Sequence, residues 1–206
     1  MLRIKIYKMK ILNLISSPRG EASVSIKLGN AIIEKLVAAN PGSEVTMHNL
    51  VNHPFPHLEE AHINSFFTPA ESYTPELAQA VKHSDQAIAQ VMDADVIVIG
   101  APMYNFTIHS SLKAWIDHVA RAQKTFTYTE NGPQGLVKGK KLYVAISSGG
   151  IYSEGSYKPF DFIEPYLRAV LGFLGMTDIT VYRAEGLKVP GVGETALEKA
   201  IESIAV

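Results

Sequence analysis

Residues 103–106, Met-Tyr-Asn-Phe, bring together a soft thioether, two aromatic rings and an amide that both donates and accepts hydrogen bonds. Such a set suits a flat heteroaromatic ring with polar edges. An ordinary surface loop whose aromatics fold back onto the core would carry the same residues. Two further stretches hold chemistry of another kind. Residues 16–25, Ser-Ser-Pro-Arg-Gly-Glu-Ala-Ser-Val-Ser, crowd hydroxyls into turn chemistry just before a helical pattern. A helix N-terminus there offers unpaired N–H groups and a positive dipole end to an anion such as a phosphate monoester, while Ser23 acting only as a helix cap is the plainer alternative. Residues 147–150, Ser-Ser-Gly-Gly, let backbone N–H groups come close to a ligand, although paired glycines serve plain turns as readily.

Composition narrows the chemistry. The chain has 206 residues, 47% of them apolar, with 19 basic against 20 acidic side chains and a formal net charge of −1. Without a basic face or a charge block, nucleic acid and anionic membranes are not expected partners. There is no cysteine, which excludes disulfides, thiolate metal sites, cysteine nucleophiles and dithiol redox chemistry. Redox chemistry in this chain must therefore come from a cofactor. His53 and His57 are separated by Pro54 and Pro56, so they cannot share a helical face, and no metal site is expected. The first loop is neither a Walker A sequence nor Gly-x-Gly-x-x-Gly, which argues against ATP and a Rossmann dinucleotide.

The elements that must position these loops follow from hydrophobic patterning. Residues 95–101, Asp-Val-Ile-Val-Ile-Gly-Ala, form a non-alternating Val/Ile run of the kind buried on both faces of a parallel sheet, and Pro102 stops it. Residues 10–16 and 142–147 repeat the pattern, 179–182 give a fifth strand, and 44–50 give a weaker edge strand. Apolar stripes at helical spacing begin near Ser23–Ser25, at Thr74-Pro75, near Ser110 or Ser111 as cap, at Phe162 with Gly175 as stop, and at Leu197. Residues 52–73 read as a solvated connector. Residues 125–132 alternate strictly and end in Asn-Gly, a short ribbon and turn whose aromatics at 126 and 128 either pack beneath it or cover a pocket. The first eight residues read as an N-terminal extension without the apolar centre of a signal peptide, followed by a single domain over 9–206. A cytoplasmic protein is expected, and no run reaches the length of a membrane span.

Five strands alternating with five helices call for an α/β fold, a doubly wound five-stranded parallel sheet of order 2-1-3-4-5, flavodoxin-like. In that order the ends of strands 1, 3 and 4 lie side by side, so all three loops gather at one crevice. Together they describe FMN: hydroxyls for its phosphate, a platform for its ring, and the N–H groups of Gly149 and Gly150 for the negative charge that develops at its pyrimidine edge.

Ser16-Ser17 with Ser23-x-Ser25, Ala-Pro-Met-Tyr-Asn-Phe, Phe126-x-Tyr128-Thr-Glu-Asn-Gly-Pro and Ser147-x-Gly-Gly, in this order and spacing, resemble the FMN-dependent NADH azoreductases. That family belongs to the flavodoxin-like NAD(P)H:quinone reductases. The resemblance runs from Met9 over nearly the whole chain. It implies a homodimer with FMN at the interface that reduces quinones and azo compounds with NADH. It places Ser17, Ser23, Val24, Ser25, Met103, Tyr104, Asn105, Phe106, Ser147, Ser148, Gly149 and Gly150 on FMN. Phe126, Tyr128, Tyr152 and Phe173 are the candidates for the substrate pocket. Family members often carry a basic residue at Ser148 and a histidine at Tyr152, two departures in this chain. The expected mechanism is a ping-pong hydride transfer that needs no catalytic side chain. A flavodoxin-type carrier that binds FMN without turnover is the alternative, and the near-neutral charge does not fit one.

Overall fold

The computed structural model describes residues 8–206. The proposed extension therefore lies, for Met1–Tyr7, outside the described residues. In chain order the elements are β1 (Lys10–Ile15), α1 (Val24–Ala39), β2 (Glu44–Asn49), α2 (Glu60–Phe67), α3 (Pro75–Ala80), α4 (Lys82–Asp93), β3 (Val96–Pro102), α5 (Ser110–Val119), β4 (Phe126–Thr129), β5 (Gly132–Gly135), β6 (Lys141–Ser147), α6 (Glu164–Phe173), β7 (Asp178–Ala184) and α7 (Ala196–Glu202). Five strands form one parallel sheet in the order β2-β1-β3-β6-β7, the expected 2-1-3-4-5 topology. The strands β4 and β5 make a separate antiparallel hairpin, as the alternation over 125–132 foretells.

Side chains of the central strands point alternately into two apolar layers. Leu12, Leu14, Ile97, Ile99, Leu142 and Val144 pack with Val91, Trp115, Ile116 and Leu167 of α4, α5 and α6 on one face. Ile11, Val96, Val98, Tyr143 and Ala145 meet Leu28, Ile32 and Leu36 of α1 and Ala200 of α7 on the other. Because both faces are covered, β3 is buried along its whole length, and an alternating pattern would have left a polar residue without water. The register pairs Ile15 with Gly100 and Pro102 with Ser147. The segments after β1, β3 and β6 thus all leave at the carboxyl end of the sheet.

Four expectations need correction. The connector 52–73 contains α2, which buries His62 and Ser65; a helix whose inward face is polar leaves no hydrophobic period to read. The stripe after Thr74 is two helices broken at Val81. The cap of α5 is His109, whose Nδ1 accepts the Ser111 N–H at 3.2 Å, because Ser110 and Ser111 already lie inside the helix. Phe162 precedes α6 and is exposed. No described helix is long and apolar enough to cross a membrane.

The connector is held by imidazoles. Phe55 lies among the rings of His48, His83 and His118 at 5.3–5.8 Å, and His62 meets His118 edge-on. The fully buried His118 donates from Nε2 to the Pro56 carbonyl at 3.0 Å, and its Nδ1 has no partner. Burial pushes its pKa down, and the neighbouring His62 and His83 push the same way against Pro56 and Asp117. The unfolded chain thus takes up a proton near pH 6.5 that folded His118 refuses, so this contribution is complete above that pH and falls on acidification, by at most about 1.4 kcal/mol per pH unit. Urea unfolding at pH 7.5 and 5.5 should show a smaller loss for His118→Gln than for the wild type; equal losses would refute the assignment.

Candidate functional site

The loop after β1 is built from inside outwards. The Ser16 hydroxyl donates to the Gly100 carbonyl at 2.6 Å, tying the loop to β3. Ser17 is buried and its Oγ accepts the Arg19 N–H at 3.4 Å. After a 3-10 turn over Gly20–Ala22, Ser23 caps α1, its Oγ accepting from the Ile26 N–H at 3.4 Å and lying 3.1 Å from the Ser25 hydroxyl. The Ser23 carbonyl takes the Lys27 N–H. This leaves the Val24 and Ser25 N–H groups without an intrahelical acceptor, at the positive end of the helix dipole.

The loop after β3 closes at once. Met103 N–H donates to the Ser147 carbonyl at 2.8 Å, and Tyr104 and Thr107 exchange both backbone hydrogen bonds at 2.9 and 3.1 Å. Between them Asn105 and Phe106 hold φ of 47° and 72°. Two successive positive φ values make a mirror-image turn that ordinarily carries Asn-Gly. Asparagine tolerates this backbone; phenylalanine at the second position is strained. The Phe106 ring is half exposed and rests near Phe160 and Tyr152 at 5.6 and 6.2 Å.

The loop after β6 is laced to the one after β7. Gly186, Leu187 and Lys188 donate backbone N–H groups to the carbonyls of Gly150, Ser148 and Gly149 at 3.0, 3.2 and 2.9 Å. The Ser148 hydroxyl donates to Gly150 O at 2.8 Å. The carbonyls thereby face away, and among the described residues no acceptor takes the N–H groups of Gly149 and Gly150.

These loops wall one hollow of about 180 Å³. Ser17, Ser23 and Val24 line it from the first loop, Met103 and Tyr104 from the second, and Ser147, Ser148 and Gly149 from the third. Arg19, Pro102, Leu187 and Lys188, which are not among the residues expected there, also line it. Arg19 stands inside a loop already singled out, and its charge was the available signal. Lys188 is brought in by the β6–β7 lacing, which no local motif marks.

Four expected residues lie around the hollow rather than on its wall. Ser25 is buried beside the Ser23 hydroxyl, Tyr152 stands where a Cβ on Gly150 would project, and the Phe106 ring lies near that of Phe160. Asn105 opens instead on an adjoining cavity of about 580 Å³, which shares Tyr104 and includes His109, Lys113 and Tyr166. Burial pushes the Tyr166 phenol up to about 12 and lowers His109, so both are neutral donors or acceptors at pH 7. The four substrate candidates fall into two groups, and none lines the hollow. Phe126 packs on Phe173 at 4.6 Å and on Tyr128 at 5.7 Å, whereas Tyr152 sits beside Phe106 and Tyr157. Among the described residues no cluster of three or more His, Asp or Glu is arranged for a metal ion.

The family described by its flavodoxin-like fold matches residues 9–206. An FMN-dependent NADH:quinone oxidoreductase of Herminiimonas arsenicoxydans is 49% identical over 93% of this chain and 93% of its own. Its counterpart in Mesorhizobium japonicum is 46% identical over 94% and 90%. Among solved structures, an azoreductase from Bacillus anthracis str. Sterne superposes with a TM-score of 0.88 at 32% identity, covering 94% of this chain and 95% of that one. An FMN-dependent NADH-azoreductase from Bacillus anthracis str. Ames Ancestor in complex with FMN gives 0.82 at 27% identity, covering 96% and 97%.

Proposed function

We infer the function from kinship: this chain belongs to the flavodoxin-like fold family and, within it, to the FMN-dependent NADH:quinone oxidoreductases. It is an FMN-dependent oxidoreductase that takes its electrons from NADH. We propose further that quinones and azo compounds are its acceptors and that the order is ping-pong. The observation that supports this most is the convergence of Ser17, Tyr104 and Gly149, distant in the chain, on one hollow.

The residues present fit FMN. The Val24 N–H at the start of α1, with the hydroxyls of Ser17 and Ser23, suits a phosphate, and Arg19 and Lys188 add positive charge. The unpaired N–H groups of Gly149 and Gly150 suit the electron-rich edge of a reduced ring, where donors fixed by the β6–β7 lacing need no reorganisation. Met103, Tyr104, Asn105 and Phe106 would orient the ring. Bound FMN supplies the centre that accepts and returns hydride. The chain itself need only bind, orient and exclude water, and we assign no catalytic acid or base; water supplies protons to the product. NADH and the acceptor use one slot in turn, which makes the order ping-pong.

We propose that a second copy of the chain completes the site. The hollow is smaller than the roughly 300–1,000 Å³ of an ordinary ligand pocket, and the Phe126, Tyr128 and Phe173 group does not reach it. In a homodimer that group would cover the partner's ring. The functional unit is then a dimer of the 9–206 domain.

The visible spectrum of the purified protein and NADH oxidation with menadione or methyl red test the assignment. Yellow, active protein supports it. Yellow protein inert to both acceptors would make it an electron carrier, and protein that stays colourless with added FMN would refute it. The strained turn adds a second check. Phe106→Gly should leave Tm within roughly 2 °C of the wild type, since relief of about 1 kcal/mol of backbone strain offsets the lost ring contacts. It should also raise the acceptor KM several-fold. A fall in Tm with unchanged KM would mean that the turn serves only the fold.

A further inference from the structure

An ionic cluster centred on Arg183 of β7 plays no part in the steps above. Its guanidinium is mostly buried and donates to three carboxylates: Asp161 at 2.6 Å, Glu164, and Glu185 at 3.2 Å. Asp161 and Glu185 are themselves nearly buried, and Glu164 is shared with Arg168. Burial alone would push Glu164 up, but the hydrogen bonds from Arg183 and Arg168 outweigh it and hold its carboxyl below the usual range. Three carboxylates thus face two guanidinium groups, an arrangement stable only while Arg183 stays in place.

Each of two arms of the cluster ends in a loop of the site. Glu185 accepts the N–H groups of Tyr152 and Ser153 at 3.0 and 3.3 Å, while its neighbour Gly186 donates to Gly150 O at 3.0 Å. The chain leaving Gly149–Gly150 is thereby pinned on both sides. Asp161 Oδ1 accepts the N–H groups of Ile163 and Glu164 at 3.0 and 3.4 Å. This orients Phe162, whose N–H donates to the Phe106 carbonyl at 3.1 Å, and Phe160, whose ring lies 5.6 Å from that of Phe106. The strained Asn105–Phe106 turn is therefore held from outside by a segment that hangs on Arg183.

We propose that Arg183 is a positioning residue that acts through Glu185 on the Gly149–Gly150 edge and through Asp161 on the Asn105–Phe106 turn. It sets flavin affinity by the first arm and acceptor recognition by the second. The proposal rests on the flavin reading given above. A planar fork reaches three carboxylates at once, which the point charge of lysine cannot do.

The test titrates FMN into flavin-free protein by quenching of flavin fluorescence, alongside acceptor KM and amide hydrogen exchange. Arg183→Met should weaken FMN binding about 10-fold or more, with Arg183→Lys in between. It should also speed exchange at Tyr152, Ser153 and Phe162. In case Arg183→Met fails to fold, the arms are separated by milder changes. Glu185→Gln should weaken FMN binding by a larger factor than it raises the acceptor KM, and Asp161→Asn should raise that KM by a larger factor than it weakens FMN binding. Variants that bind FMN and acceptor like the wild type, or that lose both only in proportion to Tm, would overturn the proposal. A wild type that fails to bind FMN would overturn the flavin reading instead. Unchanged exchange at the three amides in the Arg183 variants would overturn the tether on its own.

Discussion

Ser23→Asp should lower FMN affinity by about 100-fold or more while leaving Tm unchanged or slightly higher. Aspartate caps helices as well as serine does, and a carboxylate at the N-terminus of α1 is favoured by the helix dipole by roughly 0.3–1 kcal/mol. The Ile26 N–H, which Ser23 Oγ now accepts at 3.4 Å, keeps an acceptor. That same carboxylate would occupy the place proposed for the phosphate. Two like charges about 4 Å apart at an effective dielectric near 20 repel by about 4 kcal/mol, enough for more than a 100-fold change in Kd. Ser23→Thr, neutral and still a cap, should bind FMN within a few-fold of the wild type. Fluorescence titration decides, with thermal melting as the control. An aspartate variant that binds FMN normally would remove the phosphate from this helix end.

Gly135→Ala should be the most destabilising of these single changes, costing about 3 kcal/mol and lowering Tm by roughly 6–12 °C. A Cβ on Gly135 lands on the backbone of Gly175 and Leu174, with no flexible side chain to yield. Nor can Gly175 give way: its φ is +104°, and its own Cβ position lies 2.8 Å from the Val137 carbonyl. Val137 N–H donates to Leu174 O at 3.0 Å across this contact. The β4–β5 hairpin must lift, taking Phe126 off Phe173. The acceptor KM should then rise about 10-fold or more, while FMN titration changes little. Gly132→Ala separates collision from conformation, since φ there is +101° but the space is open; it should cost only about 1–2 kcal/mol. Equal losses for the two variants would mean that the close approach is unimportant.

Much of this molecule is legible from local chemistry. Val96–Ile99 and Leu142–Ile146 announce buried strands because covered sheets admit no alternation, Ser23 and Thr74 announce helix starts because hydroxyls satisfy free N–H groups, and Gly175 announces a stop. The failures are equally physical. The helix α2 turns His62 and Ser65 inward, so it shows no apolar stripe. His109 caps α5 with an imidazole nitrogen, outside the usual hydroxyl or carboxylate signal.

Local patterns are enough for the individual strands, the helix starts and three unusual loops, because strand burial, capping and turn preferences act over a few residues. That Ile15 lies beside Gly100 and Pro102 beside Ser147, which makes one hollow of three loops, comes from the packed sheet. Tertiary packing alone brought in Lys188 and placed Arg183 among Asp161, Glu164 and Glu185. Contacts between segments far apart in the chain depend on register and layer packing, and no stretch of a few residues encodes its distant partner.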